Sequence, residues 1–581
     1  MARQMRSRWD IARVRCVAGA LALIGALVAT ACAGPAAQPS GRSQMPAPGQ
    51  PSRTLSFGVR AEPNTVASVA LRYSGRGDRP TNRMFNAGLV LQDPLNVPHP
   101  YLAQEVPQLN TDTWRLLPDG RMETIYRLKP NLSWHDGHAL SAADFVFSWE
   151  VFSLPEFAVG AASPLSQMED VLAPDESTVL IRWRTSYPEA NAVYDDVLPP
   201  LPRHILEAPF RQGGQEAFIV HPFWAAEYVG AGPFSLTRWE PGAFIEGTAF
   251  QAHVLGRPKI DRIQVRFIPD ENAVLANMLA GELVASFAPR YEQAIVLQQH
   301  WEPNHGGTAV LIPTQPRFMH AQLRPEFANP RAVMDLRVRR ALAHAIDKPS
   351  LDESLFGGRG AVTDSFLTPR TPYYADVDKT IAKYPYDLRR TEQLLNQAGF
   401  SKADDGFYAG PEDGRLILEV MRDGGNAYER ELAAMADGWR QAGIDTRQSQ
   451  TVAVNQMGNS ELRNSFPAFY STATGSGGED NLGSFTTASI PTPANRWNGN
   501  NRSAWPNAEY DALWTAFNST LDRSERNRQA VQMARLLSEE LPIIMLYHNF
   551  HVVAYQSALR GPDTRGIRDL TVWNVHEWEM S

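Results

Sequence analysis

The stretch most informative about the fold is Tyr126-Arg-Leu-Lys-Pro-Asn-Leu-Ser-Trp-His-Asp-Gly-His-Ala-Leu-Ser-Ala-Ala-Asp-Phe-Val146. Its Asp136-Gly137 pair predicts a tight turn, because both residue types tolerate the backbone conformations that turns require. Ser141 is suited to cap a helix, and Asp144, at the third helical position, completes the pattern of a capping box. The stretch therefore predicts a turn followed by a helix. It also predicts a mainly structural role for these residues.

Short apolar runs on both sides of this stretch predict strands. They lie at Thr54–Val59, Thr124–Leu128, Thr178–Trp183, Ile263–Ile268, Leu416–Val420 and Ile543–Tyr547. Helical spacing of apolar residues predicts helices at 335–347, at 388–398 behind a cap at Asp387, and at 524–541 before Pro542. This irregular mixture of strands and helices, without an internal repeat, predicts α/β lobes.

Length and composition describe a soluble globular protein. The chain has 581 residues, of which 43% are hydrophobic and 20% charged. This length predicts about two to four lobes. With 55 Lys and Arg against 63 Asp and Glu, the net charge is −8. Nucleic acid is therefore not an expected partner, because phosphate binding requires basic patches.

The N-terminus has the pattern of an export signal. Arginines up to Arg15 precede the apolar run 17–31, which is short for a bilayer span of about 20 residues. The segment Ala29-Thr30-Ala31-Cys32 resembles a bacterial lipobox, with Ala29 where Leu or Val is usual. We therefore expect a lipoprotein signal peptide at 1–31 and acylation of Cys32, a plain secreted protein being the alternative.

Two further features of the N-terminal region agree with a lipid anchor. The only other cysteine, Cys16, lies inside the segment that would be removed, so no disulfide framework is expected. Residues 32–52 are rich in Pro, Ala, Gly, Ser and Gln, which predicts a flexible tether between the anchor and the folded body.

Many segments, in the same order along the chain, resemble those of one known family. They are 126–146 with its W-H-D-G, Ala61–Thr65, Gly88–Val90, Pro100–Ala103, Tyr228–Leu236 (YVGAGPFSL), Gly256–Asp261, Leu279–Leu283, Val338–Asp347, Leu394–Phe400, Gln441–Ile444 and Leu541–Tyr547. The chain thereby resembles the bacterial extracellular solute-binding proteins of family 5, the oligopeptide, dipeptide and nickel type.

The resemblance implies an α/β, bilobal, periplasmic-binding-protein-like fold with a hinge and an extra inserted domain. Ligand would lie between the lobes and be buried when they close. The implied boundaries are 53–92, 225–310 and 540–581 for the three parts of lobe I, 93–224 for inserted domain II, and 311–539 for lobe II (domain III).

The same resemblance implies the substrate-binding component of an ABC importer rather than an enzyme. It would capture a small extracellular solute, most plausibly a peptide, and deliver it to permease subunits. Expected partners are the ligand, the permease and the membrane through a lipid anchor; the chain is expected to be a monomer without a cofactor. Two alternatives stay open: a surface receptor that presents ligand without transport, and a lipid-anchored hydrolase. The sequence contains no G-x-S-x-G elbow for the hydrolase.

Acidic candidates for ligand binding come from one loop. Oligopeptide-type members of the family often place an acidic residue in the second lobe to pair with the ligand's amino terminus. The matching loop here is 471–485, and its nearest acids are Glu479 and Asp480. The family's acidic position itself falls on Gly478, which weakens the peptide expectation. Solvated loop acids are the alternative reading of this pair.

Aromatic and amide side chains supply the other candidates, because ligand pockets are mostly apolar with a few directing polar groups. These are Tyr470, Trp497 and Asn498, together with Glu62 and Asn64 on the loop after the first strand. Each residue type is also common in cores and on surfaces.

A metal site is not expected from the histidines. His135 and His138 form H-x-x-H, but no Cys or third His is near them in sequence, and they lie in the predicted turn. His576-Glu577 begins like a zinc-protease motif and lacks its second histidine.

Overall fold

A computed structural model describes residues 53–69, 71, 79–154, 157, 164–423, 426–447, 451–452, 459–566 and 571–581. The predicted signal peptide 1–31, the tether 32–52 and the acylation site Cys32 lie outside the described residues. Among the residues it does describe, no helix has the length and hydropathy needed to cross a bilayer.

The described chain alternates between short strands and helices. The strands are β1 (Thr54–Val59), β2 (Val90–Gln92), β3 (Pro98–Pro100), β4 (Trp114–Leu116), β5 (Met122–Arg127), β6 (Met168–Asp175), β7 (Thr178–Trp183), β8 (Phe234–Glu240), β9 (Phe244–Ala249), β10 (Arg262–Phe267), β11 (Ala285–Ser286), β12 (Gly307–Ala321), β13 (Ser401–Lys402), β14 (Tyr408–Gly410), β15 (Gly414–Arg415), β16 (Ile417–Leu418), β17 (Val420–Asp423), β18 (Asp445–Thr446), β19 (Thr451–Val452), β20 (Phe469–Ala473), β21 (Ile543–Gln556), β22 (Leu559–Arg560) and β23 (Glu579–Met580). The helices are α1 (Arg79–Phe85), α2 (Ala142–Phe152), α3 (Arg203–Gln212), α4 (Gly214–Ile219), α5 (Glu271–Leu279), α6 (Tyr291–Trp301), α7 (Leu336–His344), α8 (Lys348–Phe356), α9 (Tyr374–Thr380), α10 (Leu388–Gln397), α11 (Asn426–Gln441), α12 (Ala508–Ser519) and α13 (Arg523–Glu540).

One mixed sheet of ten strands runs through the molecule in the order β19-β17-β20-β12-β21-β11-β1-β10-β9-β8. Its centre is the antiparallel pair β12 and β21, which runs from Gly307 opposite Gln556 to His320 opposite Ile543 with two register shifts in between. At one end this pair is flanked by β11, and at the other by β20. A separate four-stranded sheet, in the order β4-β5-β7-β6, is built from residues 114–183.

The two ends of the β12–β21 pair are packed into different cores. Ala309, Val552 and Ala554 belong to a cluster with α5 and α6. Residues 318–321 and 543–547 supply side chains to two other clusters, which also contain residues from α7 to α13. The largest cluster lies beyond β11 and joins β1, β10 and the four-stranded sheet. The paired strands therefore connect two separately packed halves.

Several predicted elements are present where the sequence placed them. Residues 54–59 and 178–183 form β1 and β7, and Asp387 caps α10 by accepting from the backbone of Arg389 and Arg390. Ser141 and Asp144 form the predicted capping box of α2. The single strand predicted at 416–420 is wrong, because the chain leaves the small β16–β18 sheet at Glu419 and enters the large one as β17.

Gly230 and Gly232 allow the chain before β8 to pass directly against the end of α1. A Cβ on Gly230 would lie 2.2 Å from the Phe85 carbonyl oxygen, and a Cβ on Gly232 would lie 2.3 Å from the Phe85 carbonyl carbon. The Gly232 amide also donates to that oxygen at 3.1 Å. Because both obstacles are backbone atoms, no side-chain rotation can relieve the clash.

We expect Gly232→Ala to lower the free energy of unfolding by about 2–3 kcal/mol, the cost of overpacking a close backbone contact. Urea unfolding measures the change. The matched control is Gly120→Ala, which meets no atom within 4 Å and has φ of 85°. It should cost only about 1 kcal/mol for the left-handed backbone. Equal losses for the two variants would contradict the close approach at Gly232.

Candidate functional site

The middle of the β12–β21 pair is the weakest part of its ladder. The register shifts twice there, between Pro313 and Gln315 and between Arg317 and Phe318. Pro313 and Pro316 carry no amide hydrogen, so each removes a donor from the ladder. We therefore expect any bending between the two connected halves to occur at these residues.

Polar side chains face each other at the same place. Asn549 Nδ2 donates to Gln315 Oε1 at 3.3 Å, and both side chains are half-buried. His551 lies opposite Ile312 a little further along the ladder, and its ring meets Phe287 edge-on at 5.9 Å. These side chains offer directional hydrogen bonding beside an aromatic surface, which is the usual make-up of a ligand pocket.

A buried ion pair fixes the ladder just beyond the second register shift. Arg317 donates from Nε and Nη2 to the Glu431 carboxylate of α11, at 2.7 and 3.0 Å. Tyr547 and Ser471 hydroxyls donate to the same carboxylate at 2.5 and 2.7 Å. The Tyr428 ring lies 3.8 Å from the guanidinium carbon. All three elements β12, β20 and β21 are thus tied to α11 at one point.

The electrostatics of this cluster keep its charges in place. Burial disfavours a charged guanidinium, but the Glu431 carboxylate outweighs this effect, so the pKa of Arg317 is raised. Burial and the same carboxylate raise the pKa of Tyr547 well above its usual value, so its hydroxyl remains a donor. The pair is costly to break, because either partner alone would be a buried, uncompensated charge.

Contacts between the two halves surround this central region. Each joins a residue of the region that carries α8 to α13 (348–540) to a residue outside it: Arg430 to Glu292, Phe356 O to Tyr291 Oη (2.5 Å), Arg526 Nη2 to Glu189 (3.1 Å), Ser519 O to Ser186 Oγ (2.9 Å) and Arg370 Nη1 to Arg565 O (2.9 Å). The conformation described here therefore has the halves in contact at several points around the hinge strands.

Glu479, one of the predicted acids, is already engaged by its own chain. Arg523 of α13 donates to both of its carboxylate oxygens at 2.6 and 3.0 Å, and the Tyr373 hydroxyl donates at 2.7 Å. Arg526 lies 3.9 Å away and also reaches Glu189. Asp480, the next residue, is exposed. Glu479 thus organises a charged cluster that reaches across to the other half.

The predicted residues near the first strand lie beside the β8–β9 turn. Glu62 accepts from Trp239 Nε1 at 2.6 Å and from the Gly242 amide at 2.9 Å, although it is exposed. Asn64, two residues on, is also exposed.

The remaining predicted residues lie near a group of arginines. Tyr470 is fully buried in β20, where Arg463 donates to its hydroxyl at 3.1 Å and Arg502 lies 5.7 Å from its ring. Trp497 is half-buried, 5.9 Å from the Arg324 guanidinium, and Asn498 beside it is exposed. The seven predicted side chains therefore fall into three groups: the loop after β1, the loop at 479–480, and the aromatic residues that lie beside arginines.

Sequence reasoning missed Gln315 and Asn549 as well as the cross-contacts of Glu189 and Arg526. Their partners are far away along the chain, separated by 234 and 337 positions. The signal available in the sequence was the pair of prolines inside an otherwise apolar run, which marks an interrupted strand.

The H-x-x-H histidines have different environments. His135 is held between the Gly230 amide (3.2 Å) and the Gly232 carbonyl (3.0 Å), and burial lowers its pKa to about 4. It is a structural, neutral side chain. No third histidine is near His138 in the sequence, but α3 brings His204 to it in space: the two rings stack with centroids 4.1 Å apart. The sequence does not reveal this contact because the two residues are far apart along the chain.

Comparison with known proteins agrees with the predicted family. The family model described as bacterial extracellular solute-binding proteins, family 5 Middle, matches residues 104–495. Oligopeptide-binding protein AppA of Bacillus subtilis is 23% identical over 475 residues, which cover 80% of this chain and 82% of that relative.

Solved structures show the fold. An oligopeptide-binding protein from Thermus thermophilus, complexed with a pentapeptide, matches with a TM-score of 0.71 and 21% identity over 91% of this chain and 96% of its own. NikZ from Campylobacter jejuni, in complex with Ni(L-His), matches with a TM-score of 0.71 and 22% identity over 91% and 100%. The predicted α/β, bilobal binding-protein fold is confirmed.

Replacement of Glu431 by Gln should strongly destabilise the protein. The amide keeps the shape and one acceptor but leaves the buried Arg317 charge uncompensated, a change that typically costs about 3–5 kcal/mol. Chemical unfolding is the measurement. The matched control is Glu292→Gln, which removes the exposed pair with Arg430 and should leave the unfolding midpoint nearly unchanged. Equal midpoints for both variants would show that the buried pair is not the anchor of the ladder.

Proposed function

Because the chain belongs to the bacterial extracellular solute-binding proteins of family 5, we propose that it captures a peptide between its two halves and delivers it to the permease of an ABC importer. The chain is a solute-binding component, and the proteins it resembles are binding proteins rather than enzymes. The lipid anchor at Cys32, the absence of catalysis and the monomeric state are parts of the proposal.

The observation that carries the proposal is the hinge at the centre of the sheet. Two register shifts and two prolines weaken the β12–β21 pair between separately packed cores. Opening and closing there would expose and bury Gln315 and Asn549 together. A ligand that contacts both halves would favour the closed form by its difference in affinity for the two forms.

Peptide is favoured over other solutes by the relatives. The oligopeptide-binding relative spans most of the chain, and a structural neighbour holds a pentapeptide. A Ni(L-His) complex is held by another neighbour of equal TM-score, so the nickel chelate is the competing ligand class in the test.

We place the ligand against Gln315 and Asn549 and beside the three groups that sequence reasoning singled out. Asn64, Asp480 and Asn498 are the exposed members of those groups and are proposed to contact ligand. Glu62 and Glu479 are proposed to act by holding the loops around them, since their carboxylates are engaged within the chain. Tyr470 and Trp497 are proposed to shape the wall of the ligand pocket.

We also propose the domain boundaries that the family resemblance implies: 53–92, 225–310 and 540–581 for the three parts of lobe I, 93–224 for the inserted domain and 311–539 for lobe II.

Calorimetric titration of the purified protein with di- to pentapeptides, nickel–histidine, haem and oligosaccharides tests the function. The expected result is saturable binding of one peptide length class, with intact peptide recovered afterwards. Binding of nickel–histidine but of no peptide would show that the ligand is a nickel chelate. Recovery of cleaved peptide would contradict a binding role.

The contact between Glu189 and Arg526, which joins the two halves, suggests a variant that tests closure. Glu189→Gln removes the exposed partner of Arg526 and should raise the peptide dissociation constant about twofold to fivefold, because the closed form loses one partly exposed ion pair. Glu207→Gln is the control, since Glu207 pairs with Arg203 and Arg211 within its own helix. If the two variants bind peptide equally well, the contact between Glu189 and Arg526 takes no part in closure.

A further inference from the structure

Three potential metal ligands meet where the Asp136-Gly137 turn touches the start of α3. Asp136 Oδ2 lies 2.7 Å from His204 Nε2 and 3.2 Å from His138 Nδ1. One ligand atom from each of the three residues lies within 4.8 Å of the others. Two imidazole nitrogens and one carboxylate oxygen therefore lie close together, and one of the two stacked rings has to turn before both nitrogens face the same ion.

These separations match the size of a first-row transition-metal ion. Zinc binds nitrogen and oxygen ligands at about 2.0–2.2 Å, so neighbouring ligand atoms of a tetrahedral site lie about 3.3 Å apart. The spacing of 3.2 Å is already close to this value, whereas the spacing of 2.7 Å has to widen by about 0.6 Å when the ion displaces the hydrogen bond between Asp136 and His204. All three side chains reach solvent, so the remaining position is open to water.

The backbone that carries the ligands is held from behind by a fourth side chain. Asp144 accepts from the Ser141 amide at 2.8 Å and from the Arg203 amide at 3.1 Å. It thereby ties the residues just after His138 to the first turn of the helix that carries His204. Rigid support of this kind is what keeps ligands in place before an ion binds.

The charge of the site suits a cation. Asp136 supplies the carboxylate of the site, and both histidines lie against it. The helix N-terminus beneath His204 is weakly positive, and the carboxylates of Asp136 and Asp144 oppose it.

We propose that Asp136, His138 and His204 form a binding site for a divalent transition-metal ion of the zinc class, with water as a further ligand. Two imidazoles with one carboxylate favour Zn²⁺, Ni²⁺ or Cu²⁺ over Mg²⁺ and Ca²⁺, which prefer oxygen ligands alone. The site belongs to residues 131–212 rather than to the hinge strands, so it does not rest on the proposed peptide function.

Calorimetric titration of the metal-free full-length protein with Zn²⁺ tests the site. The double variant His138→Ala/His204→Ala should bind one Zn²⁺ fewer per molecule than the unaltered protein, and each single variant should bind that ion at least about tenfold more weakly. The difference in stoichiometry separates this site from any zinc held by the two cysteines. Mg²⁺ should give no comparable signal.

His300→Ala is the matched control, because His300 is an exposed histidine on α6 outside the cluster. It should retain the full zinc stoichiometry. The circular dichroism and peptide affinity of the double variant should match those of the unaltered protein, which shows that loss of zinc is not loss of fold. Equal zinc stoichiometry and affinity in the double variant and the control would overturn the site. If the double variant does not fold, the single variants give the same decision through their affinities.

Discussion

The antiparallel pairing of β12 with β21 is the interaction on which the rest of the structure depends. It runs from Gly307 opposite Gln556 to His320 opposite Ile543, so each strand enters both packed halves. A ladder this long would be stiff if it were regular. Two register shifts and the missing amides of Pro313 and Pro316 make it weak in the middle alone. The buried pair of Arg317 and Glu431 then fixes one side of that weak point to α11. We therefore expect any bending between the two halves at these few residues, with the cores on either side moving as units.

The acids and aromatic residues around this hinge are more constrained by the fold than their sequence suggests. The Glu479 carboxylate accepts from Arg523 and Tyr373, and the Glu62 carboxylate accepts from Trp239. Tyr470 is buried beside Arg463. A carboxylate that already accepts from several donors of its own chain has fewer lone pairs left for a ligand. Gln315 and Asn549 at the ladder's centre bond to each other, and Asn64, Asp480 and Asn498 are exposed on their loops. The proposed ligand contacts are therefore mostly neutral hydrogen-bonding groups.

Local sequence signals predicted the elements well and their long-range partners poorly. Ser141, Asp144 and Asp387 specify caps through bonds to residues two or three positions away, so the pattern alone is sufficient. The residues 543–547 were predicted as a strand, but its continuation to Gln556 depends on pairing with β12, more than two hundred residues earlier. The stacking of His138 on His204 was missed for the same reason, because it depends on the packing of α3 and not on a spacing in the sequence. In the candidate site, the sequence could therefore predict only residues whose contacts are local or whose positions match the family pattern.

The central claim, that the two halves close about the β12–β21 ladder when a peptide binds, is tested most directly by small-angle X-ray scattering of the protein with and without saturating peptide. The account predicts a smaller radius of gyration with peptide, and no such decrease with a peptide that calorimetry shows not to bind. An unchanged radius of gyration at proven saturation would contradict hinge closure, whatever the affinity.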